Sequence, residues 1–222
     1  MFASIAGTYD VLNHVLSLNQ DKGWRRFAAK QLQLSPGDRV LDACTGTADF
    51  AVELAGLVGA EGHVIGTDFC EEMVQLGLPK VGELPIDLGV ADTLALPFAD
   101  NSFQGVTVGF GIRNVVDLAG GIRELVRVTK PGGRIAILEC TQPGNPLFRF
   151  IYYVYFLIVL PVIGNLVAGG KQNAYGYLPR SVLKFPNRSK LKKVCDQNGM
   201  LETRVHSLSL GIVTVHVGHK GA

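Results

Sequence analysis

One short stretch of the sequence joins an apolar strand to a loop that carries two carboxylates. The stretch reads VLDACTGTAD, from Val40 to Asp49, and places Asp42 and Asp49 on either side of Gly46. Loops that bind a dinucleotide use three glycines, because the pyrophosphate must approach the backbone closely at the N-terminus of a helix. With one glycine and two carboxylates, this loop would repel a pyrophosphate unless a cation lay between them. The loop therefore argues against a dinucleotide-dependent reductase.

A nucleoside without phosphate suits the same loop better. S-adenosylmethionine (SAM) carries an ammonium and a sulfonium, which nearby carboxylates attract. Without a pyrophosphate to bring close, the loop tolerates the side chains of Thr45 and Ala48, while Gly46 leaves space for the methionine part. The loop residues predicted to bind this cofactor are Asp42, Thr45, Gly46 and Thr47. Considered alone, the loop fits a helix-capping turn after a buried strand equally well.

Acidic residues also follow the next two predicted strands. Asp68 ends the strand HVIGTD, where a carboxylate can accept hydrogen bonds from both ribose hydroxyls. Asp92 ends the third strand, where it would meet the adenine amino group, and the neighbouring residues Phe69 and Thr93 complete the predicted cofactor set. Each aspartate alone fits a capping role. Because the carboxyl ends of parallel strands meet at one edge of a sheet, three carboxylates there favour cofactor binding.

The rest of the chain supplies the elements that position this edge. Strand-like and helix-like runs alternate from SPGDRVLDA to a strand at Arg134 to Glu139, which predicts right-handed βαβ crossovers and a mainly parallel sheet. An earlier helix has Asp21 as its predicted N-cap. The final run, LETRVHSLSLGIVTVHVGHK, holds two strands with too little chain between them for a helix. These strands should pair antiparallel as a hairpin.

Composition limits the class of protein. The 222 residues, 47% of them hydrophobic and 18% charged, suit one α/β domain with a well-buried core. The net charge of +2 is too small to indicate nucleic-acid binding, which usually requires a concentrated basic face. The four cysteines and five histidines show no metal-ligand spacing, so no metal is predicted. Unpaired cysteines of this kind favour a reducing, cytoplasmic compartment.

The apolar excess lies in one segment, residues 146–170, in which residues 150–168 contain only Asn165 as a strongly polar side chain. This length raises the possibility of a transmembrane helix. Pro161 argues against a full span, because proline interrupts a helix near its middle. A broken apolar cover over a pocket, also in contact with the membrane surface, is the preferred interpretation. A helix buried in the core is the alternative.

Five stretches together resemble a known family: MFASIAGTYDVLN, VLDACTGTADFA, ALPFADNSFQGVTVGFGIRNV, RVTKPGG and YGYLPRSVLKFP. In this order, and over nearly the whole chain, they resemble the UbiE/MenG family of quinone C-methyltransferases. The resemblance implies a class I SAM-dependent methyltransferase fold, Rossmann-like, with a mainly parallel seven-stranded sheet and a C-terminal antiparallel hairpin. It also implies C-methylation of a polyprenylated quinol, foremost demethylmenaquinol in menaquinone biosynthesis. A benzoquinol in ubiquinone biosynthesis is the alternative, and a non-catalytic scaffold of a quinone-synthesis complex is the competing hypothesis.

The chain departs from the family pattern in the cofactor loop. The family usually has glycine at Ala48, often glycine or cysteine at Thr45, and frequently aspartate at Gln104. An added methyl group at Ala48 would weaken cofactor affinity if the backbone there needs glycine. The single predicted domain, 1–222, has an N-terminal helical cover (1–36), a SAM-binding core (37–142), an apolar substrate cover (143–187) and a C-terminal helix and hairpin (188–222).

Three residues are predicted to be catalytic. GFGIRNV follows a predicted strand and places Arg113 and Asn114 at the cofactor edge, where Arg113 would stabilise a phenolate oxygen or hold a water that takes its proton. Asn114 would orient that oxygen, and an i, i+4 ion pair with Asp117 is the alternative for Arg113. Tyr9 lies in the segment that the resemblance places over the pocket, either bonding the quinol or simply packing. Tyr177 is a weaker candidate of the same kind.

The prenyl tail of such a substrate needs an apolar channel. The side chains predicted to line it are Phe148, Phe150, Ile151, Tyr152, Phe156 and Leu157. Contact of this segment with a bilayer would let substrate enter without crossing water, which predicts a peripheral position at the inner face of the membrane. The basic residues Lys184, Arg188, Lys190, Lys192 and Lys193 would favour anionic headgroups or form a solvated helix face. The sequence leaves a homodimer open.

Overall fold

The computed structural model describes residues 17–154 and 181–222. Four of the residues predicted above to contact the substrate lie outside these ranges: Tyr9, Phe156, Leu157 and Tyr177. The side chain of Ile151 is also outside the described part, as is most of the apolar segment. The roles predicted for these residues therefore stay predictions, as does the division of the chain into four parts.

Strands and helices alternate over most of the described chain. The strands are β1 (Arg39–Ala43), β2 (His63–Asp68), β3 (Ile86–Val90), β4 (Phe103–Gly109), β5 (Thr129–Cys140), β6 (Met200–Leu208) and β7 (Val213–Lys220). The helices are α1 (Gln20–Gln31), α2 (Asp49–Val58), α3 (Glu71–Val81), α4 (Leu118–Val128), α5 (Pro146–Val154) and α6 (Arg188–Gln197). Short 3₁₀ turns occupy Ile112–Asn114 and Ser209–Gly211.

The seven strands form one sheet in the order β3-β2-β1-β4-β5-β7-β6. Strands β1 to β5 pair in parallel, whereas β7 runs antiparallel to both β5 and β6. The predicted mainly parallel sheet with a C-terminal hairpin is therefore confirmed. The strand order reverses between β1 and β4, and in open α/β sheets ligands bind in the crevice at such a point.

Both faces of the sheet are covered, because successive side chains of a strand point to opposite faces. In β5, Ala136 and Leu138 pack in the apolar cluster that includes residues of α1 and α2. The intervening residues Ile135 and Ile137 pack in a second cluster with residues of α4 and α6. Helices α1 to α4 and α6 pack against the sheet, and the strand ends between them form the crevice.

Three details differ from the sequence prediction. The N-cap of α1 is Asn19, while Asp21 lies buried in the first turn and binds Ser17 and Arg25 through its carboxylate. Strand β5 begins at Thr129 instead of Arg134, and its pairing with β4 shifts register near its start. Strand β3 ends at Val90, so Asp92 lies in the loop that follows it.

Ala48 adopts the left-handed conformation that usually requires glycine, with φ of +68°. Its side chain is fully buried, and a Cβ built on Gly77 of α3 would lie 3.2 Å from the Ala48 Cβ. The methyl group therefore packs towards α3. A left-handed alanine costs about 1–2 kcal/mol relative to a relaxed backbone.

We predict that Ala48→Gly leaves both stability and cofactor affinity nearly unchanged. Relief of the strained backbone is offset by the lost burial of a methyl group, about 0.8 kcal/mol, and by the freer unfolded chain, about 0.4–1 kcal/mol. Urea unfolding should differ from wild type by less than about 1 kcal/mol. Calorimetric titration with S-adenosylhomocysteine should give affinities within about twofold. Markedly tighter binding in the variant would show instead that the methyl group intrudes on the ligand.

Candidate functional site

A cavity of about 400 Å³ lies beside the ends of β1, β2 and β4, at the point where the strand order reverses. This volume is in the range of small-ligand sites, about 300–1,000 Å³. The residues of the predicted cofactor and catalytic sets that line it are Gly46, Asp68, Phe69, Asp92, Thr93 and Asn114. We call this space the nucleoside cavity, after the nucleoside of SAM that the sequence predicts for this edge of the sheet. The structure thus brings two of the three predicted aspartates into one space.

Asp68 is held by the backbone on two sides. Its Oδ2 accepts a hydrogen bond from the Gly46 N–H at 2.9 Å, and its Oδ1 accepts one from the Cys70 N–H at 2.9 Å. Burial raises the pKa of this carboxyl group above its ordinary value, although the backbone hydrogen bonds oppose the shift. Each carboxylate oxygen has a further lone pair, so Asp68 can still accept hydrogen bonds from ligand hydroxyls.

The mouth of the nucleoside cavity carries an exposed aromatic ring and a second carboxylate. Phe69 is 78% exposed, which leaves its ring available to a planar ligand. Asp92 Oδ1 accepts a hydrogen bond from the Leu94 N–H at 2.9 Å, so this carboxylate also caps its own turn. The Thr93 hydroxyl lies 3.2 Å from the Cys44 sulfur and is buried in the cavity wall.

Asp42 does not line the nucleoside cavity, which corrects the expectation that all three aspartates share one hollow. It lines a smaller cavity of about 30 Å³, together with Thr45 and Thr47, and Gly46 belongs to the walls of both cavities. The Asp42 carboxylate is fully buried and accepts hydrogen bonds from the hydroxyls of Thr45 at 2.6 Å and Thr107 at 2.8 Å. Burial raises its pKa to about 6.

An ion pair that the sequence did not indicate attaches the loop to α3. Lys80 donates to the Thr47 hydroxyl at 2.9 Å and to Asp49 Oδ1 at 2.7 Å. Asp49 also lies 3.7 Å from the guanidinium of Arg25. Thr47 therefore fixes the loop through its side chain. No periodicity connects Lys80 with the loop, because the contact depends on how α3 docks.

Arg113 is paired differently from either sequence interpretation. Its guanidinium donates to Glu139 and to the Phe110 carbonyl, and the side chain is only 6% exposed. Arg113 is absent from the residues that line the two cavities described here, so its predicted contact with a ring oxygen stays a prediction. The alternative pair with Asp117 is wrong, since Asp117 caps α4 and lies 3.5 Å from Arg123.

Glu139, which sequence analysis missed, holds the turn that carries Asn114. Its fully buried carboxylate accepts hydrogen bonds from the Arg113 side chain, the Arg113 N–H and the Cys140 N–H. This pairing fixes the 3₁₀ turn Ile112–Asn114, and so places Asn114 in the wall of the nucleoside cavity. A charged residue in the apolar run IAILEC was the available signal, because a buried charge needs a partner.

The predicted tail-binding side chains on α5 do not share one environment. Phe148 is 39% exposed and Phe150 is 67% exposed, whereas Tyr152 is buried. None of the helices within 17–154 and 181–222 combines the length and apolar character needed to cross a membrane. Within the same ranges, no three His, Cys, Asp or Glu side chains form a group able to hold a metal ion.

The raised pKa of Asp42 predicts a specific pH dependence of folding. Because the folded-state pKa of about 6 exceeds the ordinary value of 3.8, the folded chain binds this proton more tightly than the unfolded chain. The resulting stability is present below pH 4 and is lost as the pH rises to 6, on the order of 3 kcal/mol. Asp42→Asn should remove this loss, so urea unfolding between pH 4 and 7 should give diverging curves for the two proteins. Parallel curves would contradict the assignment.

The chain is similar over nearly its whole length to a known family and to named proteins. The sequence profile of the ubiE/COQ5 methyltransferase family matches residues 1–220. The Ubiquinone/menaquinone biosynthesis C-methyltransferase UbiE of Geotalea daltonii is 47% identical over 99% of this chain and 94% of its own length. The Demethylmenaquinone methyltransferase of Staphylococcus saprophyticus is 41% identical over 99% of this chain and 94% of its own length.

Solved structures match at the level of the fold. A SAM-dependent methyltransferase from Aquifex aeolicus superimposes with a TM-score of 0.63 at 20% identity, covering 85% of each chain. Phosphoethanolamine N-methyltransferase 2 from Haemonchus contortus, in complex with S-adenosyl-L-methionine, gives a TM-score of 0.62 at 14% identity and covers 85% of this chain and 50% of that one. With the profile match and the relatives above 40% identity, these results show that the chain belongs to the ubiE/COQ5 methyltransferase family.

Proposed function

We propose that the chain transfers the methyl group of SAM to a ring carbon of a polyprenylated quinol, and that this quinol is demethylmenaquinol. The assignment of the cofactor rests on the nucleoside cavity, where Asp68 and Asp92 lie beside the exposed ring of Phe69. Two carboxylates suit a cationic nucleoside and oppose a phosphate. Menaquinone appears in the names of both groups of relatives, which supports a naphthoquinol ring.

The residues of the cavity divide the binding of the cofactor between them. Asp68 accepts the ribose hydroxyls, Asp92 accepts the adenine amino group, and Phe69 packs against the adenine ring. When bound, SAM supplies an electrophilic methyl group on its sulfonium. Burial raises the pKa of the Cys44 thiol to about 12, so this side chain in the cavity wall stays protonated. Cys44 is therefore unsuited to act as a nucleophile, which supports direct transfer.

Alignment of the quinol is the task that we assign to Asn114. This residue lines the nucleoside cavity and orients a ring oxygen through its amide. The pair of Arg113 with Glu139 holds Asn114 in place, and Tyr9 supplies a further hydrogen bond to the quinol. A ring hydroxyl that loses its proton makes the ring carbon more nucleophilic, and a hydrogen bond donated by the Asn114 amide favours that phenolate, as one from the Arg113 guanidinium would.

The substrate's prenyl tail is expected to reach the protein from a bilayer. On α5, Leu147 and Phe150 are 66% and 67% exposed, and Arg149 lies between them in sequence. Exposed apolar side chains next to basic ones suit the surface of an anionic membrane. The protein would then act at the inner face of the membrane as a peripheral enzyme. A benzoquinol remains the second candidate substrate, since the name of the Geotalea relative includes ubiquinone.

The test is an assay of purified protein with SAM and reduced demethylmenaquinone, run beside a reduced ubiquinone precursor, with products identified by mass spectrometry. We expect one added methyl group on the naphthoquinol and none on the oxidised quinone. Asp68→Ala should abolish both the product and calorimetric binding of S-adenosylhomocysteine, because the ribose loses its acceptor. Asp87→Ala, which removes a carboxylate that pairs with His63 at 2.9 Å, is the matched control and should keep both.

Three results would contradict this proposal. Methylation of the benzoquinol alone would overturn the choice of ring. Full activity of Asp68→Ala would overturn the ribose site. Absence of S-adenosylhomocysteine binding by the wild-type protein would favour the scaffold hypothesis.

A further inference from the structure

A hollow of about 210 Å³ lies on the face of the sheet that α1 covers, and the proposed function leaves it unused. We call it the hairpin basin, because β6 and β7 contribute most of its lining. It is remote from the nucleoside cavity: Arg134 in its wall pairs with Gly105 near the start of β4, whereas the nucleoside cavity borders Gly109 at the end of that strand. Its lining combines the buried residues Val217 and Gly218 with five charged or imidazole side chains, Arg134, Glu202, Arg204, His206 and His219.

Cations from three adjacent strands line the hairpin basin. Arg134 of β5 lies directly opposite His219 of β7, and Arg204 of β6 lies opposite Val217 on the same face. Like charges on one face of a sheet destabilise it, and a histidine ring can take up a proton near neutral pH. Within residues 17–154 and 181–222, no ion pair involves Arg134, Arg204 or His219. An anion held between these side chains would therefore stabilise the arrangement.

Arg204 points into the hairpin basin because β6 contains a bulge. The pairing of β6 with β7 shifts register between Leu201 and Arg204, where β6 has one residue more than its partner. Met200 packs in the apolar cluster on the α6 face, and without the extra residue Arg204, four positions later, would point to that face as well. Glu202 lies within the bulge with φ of +50°, a left-handed conformation that is strained for any residue other than glycine. Strain in β6 thus places Arg204 on the face of the basin.

Two structural roles explain part of this charge and leave the rest. Charged side chains on an edge strand such as β6 deter pairing with another chain. Arg134 and His219 lie on the inner strands β5 and β7, where this role does not apply. Arg134 also donates one N–H to the Gln31 carbonyl at the end of α1, at 3.2 Å. A guanidinium has five N–H donors, so Arg134 retains others for a ligand.

The size of the hairpin basin and its donors restrict the class of ligand. Guanidinium groups bind phosphate oxygens through two parallel hydrogen bonds. The volume of about 210 Å³ lies below the range of sites for drug-sized ligands, about 300–1,000 Å³. Arg134 and Arg204 lie two strands apart, so their backbones are separated by about 10 Å. Two long side chains reaching inwards from this separation suit a small anion with acceptors at both ends.

We propose that the hairpin basin binds a small soluble anion that carries a phosphate or diphosphate group, held by Arg134 and Arg204 with His219 between them. The site is separate from those of the cofactor and the quinol, so the inference does not depend on the proposed function. An anion bound there connects the end of α1 with three strands of the sheet and stabilises the folded chain.

The test is calorimetric titration with inorganic phosphate and with pyrophosphate, at fixed pH and at an ionic strength set with sodium chloride. Both should bind the wild-type chain, and pyrophosphate should bind at least about fivefold more tightly because it can engage both arginines at once. Arg204→Gln should weaken pyrophosphate binding by at least about fivefold, and this exposed side chain can be replaced without disturbing the core. Glu202→Gln should strengthen binding, because it removes the carboxylate from the described lining.

The matched control is Lys193→Gln, which removes one positive charge from an exposed position of α6, on the opposite face of the sheet. It should leave the pyrophosphate affinity unchanged. Asp68→Ala should also bind pyrophosphate as the wild-type chain does, which separates this site from the nucleoside cavity. Vesicles of phosphatidylglycerol should not displace pyrophosphate.

Four results would overturn the inference. The first is absence of pyrophosphate binding by the wild-type chain, a measurement that does not depend on how a variant folds. Equal losses in Arg204→Gln and Lys193→Gln would show a general effect of surface charge. Weaker binding by Glu202→Gln would contradict an anionic ligand. Displacement by the vesicles would assign the hairpin basin to a lipid headgroup instead of a soluble anion.

Discussion

The hydrogen bond from the Gly46 N–H to the Asp68 carboxylate connects the loop after β1 with the end of β2. This contact sets the wall between the two cavities, because Gly46 borders both. Gly46 has φ of +57°, a conformation that a side chain would strain. The loop can therefore lack the other two glycines of a dinucleotide loop and still present a backbone N–H to a carboxylate. What it cannot lose is the backbone geometry at this one position.

Burial of carboxylates gives the site its selectivity. The pKa values of Asp42 and Asp68 are both raised by burial, which means that their ionised forms are disfavoured without a cationic partner. A cationic ligand relieves this penalty, whereas a phosphate would add to it. The same cost of burying ionised carboxylates thus makes the chain poor at binding dinucleotides and suited to a sulfonium nucleoside. Two cations lie against Asp49 of the same loop, Lys80 at 2.7 Å and Arg25 at 3.7 Å.

The sequence predicted most of the fold and half of the site. Alternating strands and helices follow from local periodicity, and Asp68 and Asp92 could be located because strand ends of a parallel sheet converge. Arg25 could not be found this way, because its place depends on how α1 docks against the loop. The separation of Asp42 from the other two aspartates was also hidden, since it depends on which way a side chain turns at the end of β1.

Ala48 shows where local rules could not decide the effect of a substitution. Its left-handed backbone is the one that glycine prefers, yet its methyl group packs towards α3. Arg113 shows the same limit for charge pairing. Its partner Glu139 lies 26 positions away on β5, whereas sequence spacing favoured Asp117, four positions along the chain. In both cases the deciding neighbour comes from tertiary packing.

A crystal structure of the chain with S-adenosylhomocysteine would test the central claim most directly. We expect the ribose hydroxyls within hydrogen-bond distance of Asp68, the adenine against Phe69, and the amino-acid tail past Gly46. A nucleoside bound away from Asp68, or outside the crevice between β1 and β4, would contradict it.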